Sequence, residues 1–335
     1  MSANQSFRSR VAALWHKAQY IMDVILHIGA HRTATTSFQA YMRANADVLT
    51  ARGVGFWGPL RTRNGVLTGV VPVPGVVSAE QQFILARGRI AVQCDRAQAN
   101  GLRHLVVSDE NMIGTMRQNM RFGTLYCGIG ERMARYHAAF GGRIARVMIS
   151  IRSQDKYWAS SIASVIPRGE NMPNAGTLER VVSAPRSWRD VITDLSCAMP
   201  DTEIQVVTYE SFGGLPEVKL AQMTNHSMQA PTAHARAWLN RAPDLAALRV
   251  ALDGRPDADM LPKGEGRWQP FTADQVAAMR EDYADDMFWL SAGADGMAKL
   301  ITKAKPQQVG INPDAGEMTK GHNHDIEQGH LARSG

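Results

Sequence analysis

Short apolar runs alternate along the chain with longer stretches in which apolar residues recur at helical spacing. The first run, VILHI at 24–28, is rich in β-branched residues and is followed by a glycine, which predicts a buried strand. From Thr35 the apolar positions recur at three-, four- and seven-residue intervals as far as Gly53, which predicts a helix. The same alternation predicts further strands and helices downstream: strands at 105–108, 144–151 and 203–209, and helices at 81–98, 131–140 and 154–166.

This alternation of strands and helices is typical of an α/β protein. It predicts a three-layer sandwich, in which helices cover both faces of a central parallel sheet. Ligands of such sheets bind beyond the carboxyl ends of the strands. We divide the chain into an N-terminal helical extension (1–20), an α/β domain (21–302) and a disordered tail (303–335). The Gly- and Pro-rich segment 167–186 is expected to be a long loop or lid.

Composition narrows the class of protein. The chain has 335 residues, of which 44% are apolar, enough to form a substantial core. The net charge of +6 is modest, and no aromatic residues are interleaved with the basic ones, so we expect a small anionic ligand and no nucleic acid. The three cysteines lie far apart, and no apolar run approaches the ~20 residues of a membrane span. We therefore expect a cytoplasmic protein without a disulfide, a transmembrane segment or a metal site.

The segment GAHRTATTS at 29–37 joins the first predicted strand to the first predicted helix. Backbone N–H groups at a helix start bind phosphate-like anions, and here Arg32 adds a positive charge and three successive hydroxyl groups follow it. The Walker pattern is broken, because Ala34 replaces its second glycine and Thr35 replaces its lysine. The loop indicates an anion site without standard ATP chemistry. An ordinary turn with threonine caps is the alternative.

The longer run HIGAHRTATTSFQ at 27–39 resembles the 5′-phosphosulfate loop of the sulfotransferase family, whose members use 3′-phosphoadenosine 5′-phosphosulfate (PAPS). The family loop typically reads H-I-G-x-x-K-T-G-T-T-S-L-Q, so an arginine here matches its lysine and an alanine matches its second glycine. An arginine keeps the positive charge in a larger, planar group, so transfer can survive the change. The resemblance implies that the phosphosulfate is held by Arg32, Thr33, Ala34, Thr35, Thr36 and Ser37.

Two later segments resemble the family's site for the 3′-phosphate of PAPS. Arg152 follows the predicted strand 144–151, and Ser160 comes eight residues later on the next helix, with the identities and spacing of the family. A guanidinium binds phosphate oxygens as a fork, and a hydroxyl group completes the site. The segment LPKGEGRWQPFT resembles a late basic loop of the family, which implies that Lys263 and Gly264 close over the same phosphate. A structural salt bridge and a plain surface turn are the respective alternatives.

Sulfuryl transfer to a hydroxyl or an amine requires a group that takes the proton of the acceptor. The strand 105–108 is followed by Asp109 and Glu110, which resembles the S-x-E run at the same strand end in bacterial-type members of the family. The resemblance implies that Glu110 is the catalytic base and that Arg32 is the second catalytic residue. Asp109 is the neighbouring candidate, and capping of the next helix is the alternative role for either carboxylate.

These resemblances extend over about residues 22–292. They imply that the α/β three-layer sandwich is P-loop-like and that the protein is a PAPS-dependent sulfotransferase with a small-molecule or glycan acceptor and no metal. The segment 167–186 would shape the acceptor site. Two rival hypotheses stay open. The first is an ATP-dependent small-molecule kinase on a related sheet, against which the absence of the Walker lysine from this chain argues. The second is a non-catalytic nucleotide-binding protein that keeps the fold without the chemistry. The sequence indicates neither which acceptor is used nor the oligomeric state.

Overall fold

The computed structural model describes residues 22–75 and 77–303. Within them, six strands form one sheet in which all neighbours are parallel. The order across the sheet is β2-β3-β1-β4-β5-β6, which confirms the predicted central parallel sheet. The strands are β1 (Asp23–His27), β2 (Val54–Trp57), β3 (His104–Ser108), β4 (Ile144–Ile151), β5 (Glu203–Thr208) and β6 (Lys299–Leu300).

Helices fill most of the connections between the strands. The longer ones are α1 (Thr35–Ala44), α2 (Ala46–Ala51), α3 (Ala79–Ala99), α4 (Met116–Phe122), α5 (Ile129–Phe140), α6 (Gln154–Val165), α7 (Ala175–Val182), α8 (Trp188–Ala198), α9 (Pro216–Met223), α10 (Leu245–Leu252) and α11 (Ala273–Ser291). Short helical turns occupy Pro59–Arg61, Thr62–Val66, Glu110–Ile113, Ile166–Arg168, Tyr209–Phe212, Ala258–Met260 and Ala294–Gly296.

The residues of β1 show how the helices form two outer layers. Val24 and Leu26 belong to the larger hydrophobic cluster and Ile25 to the smaller one, because successive strand residues face opposite sides of a sheet. Helices α3, α5, α6 and α8 contribute buried residues to the larger cluster, whereas α1, α2 and α9 contribute to the smaller one. The α/β fold is therefore a three-layer sandwich, as predicted; its P-loop-like character stays a prediction.

Three elements differ from the sequence-based expectation. The helix expected from Thr35 to Gly53 is divided into α1 and α2 at Asn45, whose side-chain amide donates to the carbonyls of Tyr41 and Ala233 at 2.9 and 3.0 Å. The strands β2 and β6 were not predicted. They have four and two residues, and they lie at the two edges of the sheet, so neither needs a long apolar run.

The segment 167–186, expected to be a long loop or lid, contains the helix α7. Asn174 caps this helix, since its side chain accepts a hydrogen bond from the N–H of Thr177 at 2.8 Å. Val181 is buried, and Leu178 packs against the larger cluster. The expectation of a continuous loop is therefore wrong, because a capped helix with an apolar face forms within the segment.

The compact unit that holds the sheet ends at Thr302. The predicted extension 1–20 lies outside the described residues, and only Lys303 of the predicted tail 303–335 is described. None of the helices in the described ranges has the length and apolar character needed to cross a membrane.

The connections that follow β1 and β4 leave in opposite directions. From β1 the chain runs through α1 and α2 to β2 at one edge, whereas from β4 it runs through α6, α7 and α8 to β5 on the other side. Because β1 and β4 are neighbours, a crevice opens beyond their carboxyl ends, where ligands of open α/β sheets bind. Both predicted anion-binding segments begin there, one after His27 and the other after Ile151.

Candidate functional site

A cavity of about 970 Å³ lies beyond the carboxyl ends of β1, β3 and β4. Its walls include eight arginines and a single carboxylate, that of Glu110. Such an excess of positive charge favours an anionic ligand. The cavity brings together seven of the predicted site residues: Arg32, Ala34, Thr35, Thr36, Glu110, Arg152 and Ser160.

The loop between β1 and α1 has an unusual backbone. Arg32 and Ala34 adopt positive φ angles of 67° and 64°, in the left-handed region. Alternation of left- and right-handed residues turns successive N–H groups to one side and forms an anion-binding concavity. At Gly29 a Cβ atom would lie 2.8 Å from the Thr35 hydroxyl oxygen, so a side chain there would collide with the first residue of α1. The loop is folded tightly around the start of the helix.

The hydroxyl groups of the loop have different surroundings. The Thr35 hydroxyl is buried, lines the cavity and has no hydrogen-bond partner within the described residues; Thr36 also lines the cavity. Thr33 instead donates to the carbonyl of Ala30 at 2.6 Å, and Ser37 accepts from the N–H of Leu239 at 2.9 Å. Thr33 and Ser37 do not line the cavity and hold the loop in place.

Arg32, Arg152 and Ser160 meet across the crevice between β1 and β4. Arg32 donates from Nε to the Ser160 hydroxyl at 3.1 Å and from Nη2 to the carbonyl of Asn240 at 3.0 Å. Arg152 donates from Nη1 to the carbonyl of Arg32 at 3.1 Å and lies 4.3 Å above the ring centre of Tyr209. Its Nε is buried without a partner among the described residues. The predicted 5′- and 3′-phosphate segments are therefore in direct contact.

Like charges crowd this end of the cavity. Burial, followed by the charges of Arg152, Arg168 and Arg267, lowers the pKa of Arg32 to about 10. Burial also lowers the pKa of Arg152. Both groups stay cationic at neutral pH, and a multiply charged anion would offset their mutual repulsion.

The late basic loop reaches the cavity through a different residue from the one predicted. Lys263 and Gly264 are exposed and do not line it, and the Gly264 carbonyl accepts from Arg249 at 2.7 Å. Arg267 does line it, and Arg267 and Trp268 also line an adjoining pocket of about 110 Å³ beside Arg152. The segment is near the site, with Arg267 as its contribution.

Glu110 and Asp109 follow β3 but have separate roles. One Glu110 carboxylate oxygen accepts from Gln39 Nε2 at 3.0 Å, and the other accepts from Arg63 Nη2 at 2.8 Å. Asp109 is buried and caps the turn that follows, accepting from the N–H of Asn111 at 3.0 Å and from the Thr62 hydroxyl at 2.8 Å. Glu110 lines the cavity, whereas Asp109 has the structural capping role.

Arg63 connects the two carboxylates. Burial opposes its charge, but hydrogen bonds and ion pairs with Asp109 and Glu110 outweigh burial and raise the pKa of Arg63. Arg63 lies in the short turn Thr62–Val66, which has no periodic pattern, and was not predicted. Gln39 was also missed, although it lies one turn after Thr35 on the same face of α1 and helical spacing alone could have identified it.

His31 also lines the cavity and was not predicted. Its backbone N–H donates to the Tyr126 hydroxyl at 2.8 Å, its Nδ1 lies 2.9 Å from the same oxygen, and its Nε2 lies 3.0 Å from Asn111 Oδ1. Burial lowers its pKa, so the ring is neutral at pH 7. With both ring nitrogens engaged, His31 positions the loop.

An irregular segment between α9 and α10 covers the loop from outside. Trp238, Leu239, Asn240 and Arg241 all line the cavity. Trp238 packs edge-on against Tyr209 with ring centres 6.4 Å apart, and the Arg241 guanidinium lies 5.5 Å from the Trp238 ring centre. An aromatic face beside the arginine cluster suits a nucleobase.

No protein-family model, no curated protein and no solved structure matches this chain. Within the described ranges, no group of three or more histidine, cysteine, aspartate or glutamate residues is arranged to hold a metal ion.

Proposed function

We propose that this protein is a sulfotransferase that transfers the sulfuryl group of PAPS to a hydroxyl or amine acceptor. One observation carries the proposal. The loop after β1, the Arg152–Ser160 pair after β4 and the carboxylate of Glu110 after β3 line one cavity, although they are distant in sequence. This is the combination of phosphosulfate loop, 3′-phosphate site and base that the sequence resemblance implies.

The polar atoms of the cavity fit such a co-substrate. The buried Thr35 hydroxyl and Arg152 Nε have no hydrogen-bond partner among the described residues. A buried polar group without a partner lowers the stability of the folded state, and a bound ligand can provide the missing hydrogen bond. Thr35, Thr36 and Arg32 would hold the phosphosulfate. Arg152 and Ser160, with Arg267 in place of the predicted Lys263, would hold the 3′-phosphate as charge-assisted donors.

The co-substrate supplies an activated sulfuryl group, which is bonded to the 5′-phosphate through a bridging oxygen. Glu110 takes the proton of the acceptor while the acceptor oxygen or nitrogen forms its bond to sulfur. The bond from sulfur to the bridging oxygen breaks, and its electron pair remains on the phosphate of adenosine 3′,5′-bisphosphate. Arg32 stabilises this developing charge as a fixed cation that keeps its proton.

A ligand titration with thermal unfolding tests the proposal. Adenosine 3′,5′-bisphosphate at 100 times its Kd should add about 2.7 kcal/mol to the stability of the folded state, whereas AMP and ATP at the same concentration should add much less. Arg152→Gln should weaken binding of the bisphosphate by roughly 10- to 100-fold, because it removes charge-assisted hydrogen bonds. Arg87→Gln, at an exposed position of α3 outside the cavity, is the matched control and should bind as the natural protein does.

Other results would favour one of the rival hypotheses or overturn the proposal. Stabilisation by ATP but not by the bisphosphate would favour the small-molecule kinase. Binding of the bisphosphate without transfer of labelled sulfate from PAPS to any of a broad set of hydroxyl and amine acceptors would favour the non-catalytic nucleotide-binding protein. No stabilisation by any of the three nucleotides would overturn the proposal.

A further inference from the structure

One face of α1 forms a wall of the cavity that leads away from the anion loop. Thr35, Gln39 and Arg43 follow one another at intervals of four residues, and all three line the cavity. Because a helix rises about 1.5 Å per residue, Gln39 lies about 6 Å and Arg43 about 12 Å along the axis from Thr35.

The candidate base is at the middle of this wall. Gln39 donates to Glu110 at 3.0 Å, so the carboxylate lies at the level of the second of the three residues. An acceptor whose nucleophile contacts Glu110 therefore has the phosphosulfate loop on one side and Arg43 on the other. The exposed Leu60 and the neighbouring Pro59 line the same cavity and provide apolar surface.

Arg43 is separate from the cations of the anion loop. It lies in the last turn of α1, about 12 Å along the helix axis from Thr35, whereas Arg32 precedes the helix. Arg63, which is closer to Glu110, is occupied by the two carboxylates after β3.

No side-chain hydrogen bond or ion pair of Arg43 is found within the described residues. Arg117, at the start of α4, also lines the cavity and makes an ion pair of 3.0 Å with Glu170. Both partners of that pair are exposed, with side-chain exposures of 76% and 44%, so the pair is weak and its guanidinium is available to a ligand.

We propose that the acceptor carries an anionic group on the side of its reacting hydroxyl or amine that faces away from the anion loop, and that Arg43 binds this group. The chemical class is a carboxylate, sulfate or phosphate, as in an acidic sugar or an acidic phenol. A guanidinium recognises each of these groups as a fork, which fixes the orientation of the acceptor as well as its charge. The proposal rests on the proposed sulfotransferase function.

Arg43 also lies in the last turn of α1, where a cation stabilises a helix through its dipole. That role predicts a loss of stability and no effect on acceptor choice. Arg121 is a matched control, because it is the basic residue in the last turn of α4 and does not line the cavity.

The test measures binding of matched compounds to the protein saturated with adenosine 3′,5′-bisphosphate, by isothermal titration. The pairs are methyl β-glucuronide with methyl β-glucoside, and 4-hydroxyphenylacetate with 4-hydroxyphenylacetamide. In at least one pair we expect the Kd of the anion to be lower than that of its neutral partner by about tenfold or more. Arg43→Gln should reduce this preference to about twofold or less, and Arg121→Gln should leave it unchanged.

The outcomes separate this proposal from the one on which it rests. If neither pair shows a preference for the anion, or if the preference survives Arg43→Gln, the acceptor proposal is wrong while binding of the bisphosphate stands. If the bisphosphate itself does not bind, the sulfotransferase proposal fails and the acceptor proposal fails with it. Loss of stability in Arg43→Gln with an unchanged preference would assign the residue to the helix end alone.

Discussion

The two ends of the cavity are built in different ways. The anion end comprises the loop between β1 and α1 together with Arg152 and Ser160. There, Thr35 and Arg152 are each 5% exposed, and contacts from distant parts of the chain fix the loop. The Arg152 guanidinium donates to the carbonyl of Arg32, and the N–H of Leu239 donates to the Ser37 hydroxyl. At the other end, where we propose that the acceptor binds, Arg43 is exposed and Leu60 is 83% exposed.

From this difference we infer a division between the two ends, which bind different kinds of ligand. A pre-formed, buried group of donors suits a ligand that is the same in every reaction, because its desolvation and ordering costs are met when the protein folds. An open end lined by long side chains suits substrates of more than one shape. Glu110 lies between the two ends, so its substitution is the most direct test of this difference.

Glu110→Gln should separate chemistry from binding. The amide keeps the shape of the side chain and cannot accept the proton of the acceptor, so turnover should fall by about 10²- to 10⁴-fold. The Kd of adenosine 3′,5′-bisphosphate should change by less than about twofold, because the contacts of the anion end are preserved. Transfer of labelled sulfate from PAPS measures the first quantity and calorimetry the second.

Glu131→Gln is the control for this substitution, since Glu131 is exposed on α5 and outside the cavity. A Glu110→Gln variant that keeps its turnover would exclude the residue as the base. A variant that loses the bisphosphate instead would place Glu110 at the anion end and remove the proposed division.

Lys219 provides a buried cation away from the cavity. It is 1% exposed, with Nζ 5.2 Å from the ring centre of Phe38, and no carboxylate pairs with it among the described residues. Burial lowers its pKa from 10.5 to about 8. Because the unfolded chain then binds more protons between about pH 8 and 10.5, the free energy of unfolding should rise with pH across this window.

Lys219→Met should remove that rise and increase the free energy of unfolding at pH 7 by about 3 kcal/mol, since one pKa unit corresponds to about 1.4 kcal/mol. Urea unfolding at a series of pH values measures both effects, with Lys156→Met at an exposed position as the control. Lower stability of Lys219→Met would mean that the ammonium group has a stabilising partner.

Much of the fold could be predicted from local patterns. The strands β1, β3, β4 and β5 are buried apolar runs, and their alternation with helices implies a parallel sheet. The break at Asn45 could not be predicted, because one of its hydrogen bonds goes to Ala233, 188 residues away. The edge strand β2 is defined by its pairing with β3 more than by its own four residues.

In the candidate site, too, local sequence patterns predict some residues and not others. The proximity of Arg32, Glu110 and Arg152 could be predicted from the sequence. They follow neighbouring parallel strands, whose carboxyl ends share one edge of the sheet. Arg63 and Trp238 lie in irregular segments whose positions depend on tertiary contacts, and no local pattern indicates them. Site residues that directly follow the strands can therefore be predicted from the sequence, whereas those in irregular segments depend on the tertiary structure.

Ala34→Gly tests the most local feature of the anion end. Ala34 has a φ of 64°, where a Cβ atom costs roughly 1–2 kcal/mol, and part of the gain from its removal is lost to the greater freedom of glycine in the unfolded chain. The free energy of unfolding should therefore rise by about 1 kcal/mol in urea titrations. The matched control is Ala91→Gly in the interior of α3, which should lower stability by about 1 kcal/mol. The opposite signs would identify backbone strain as the cause, whereas a loss of stability in both variants would mean that the loop changes its conformation when the Cβ atom is removed.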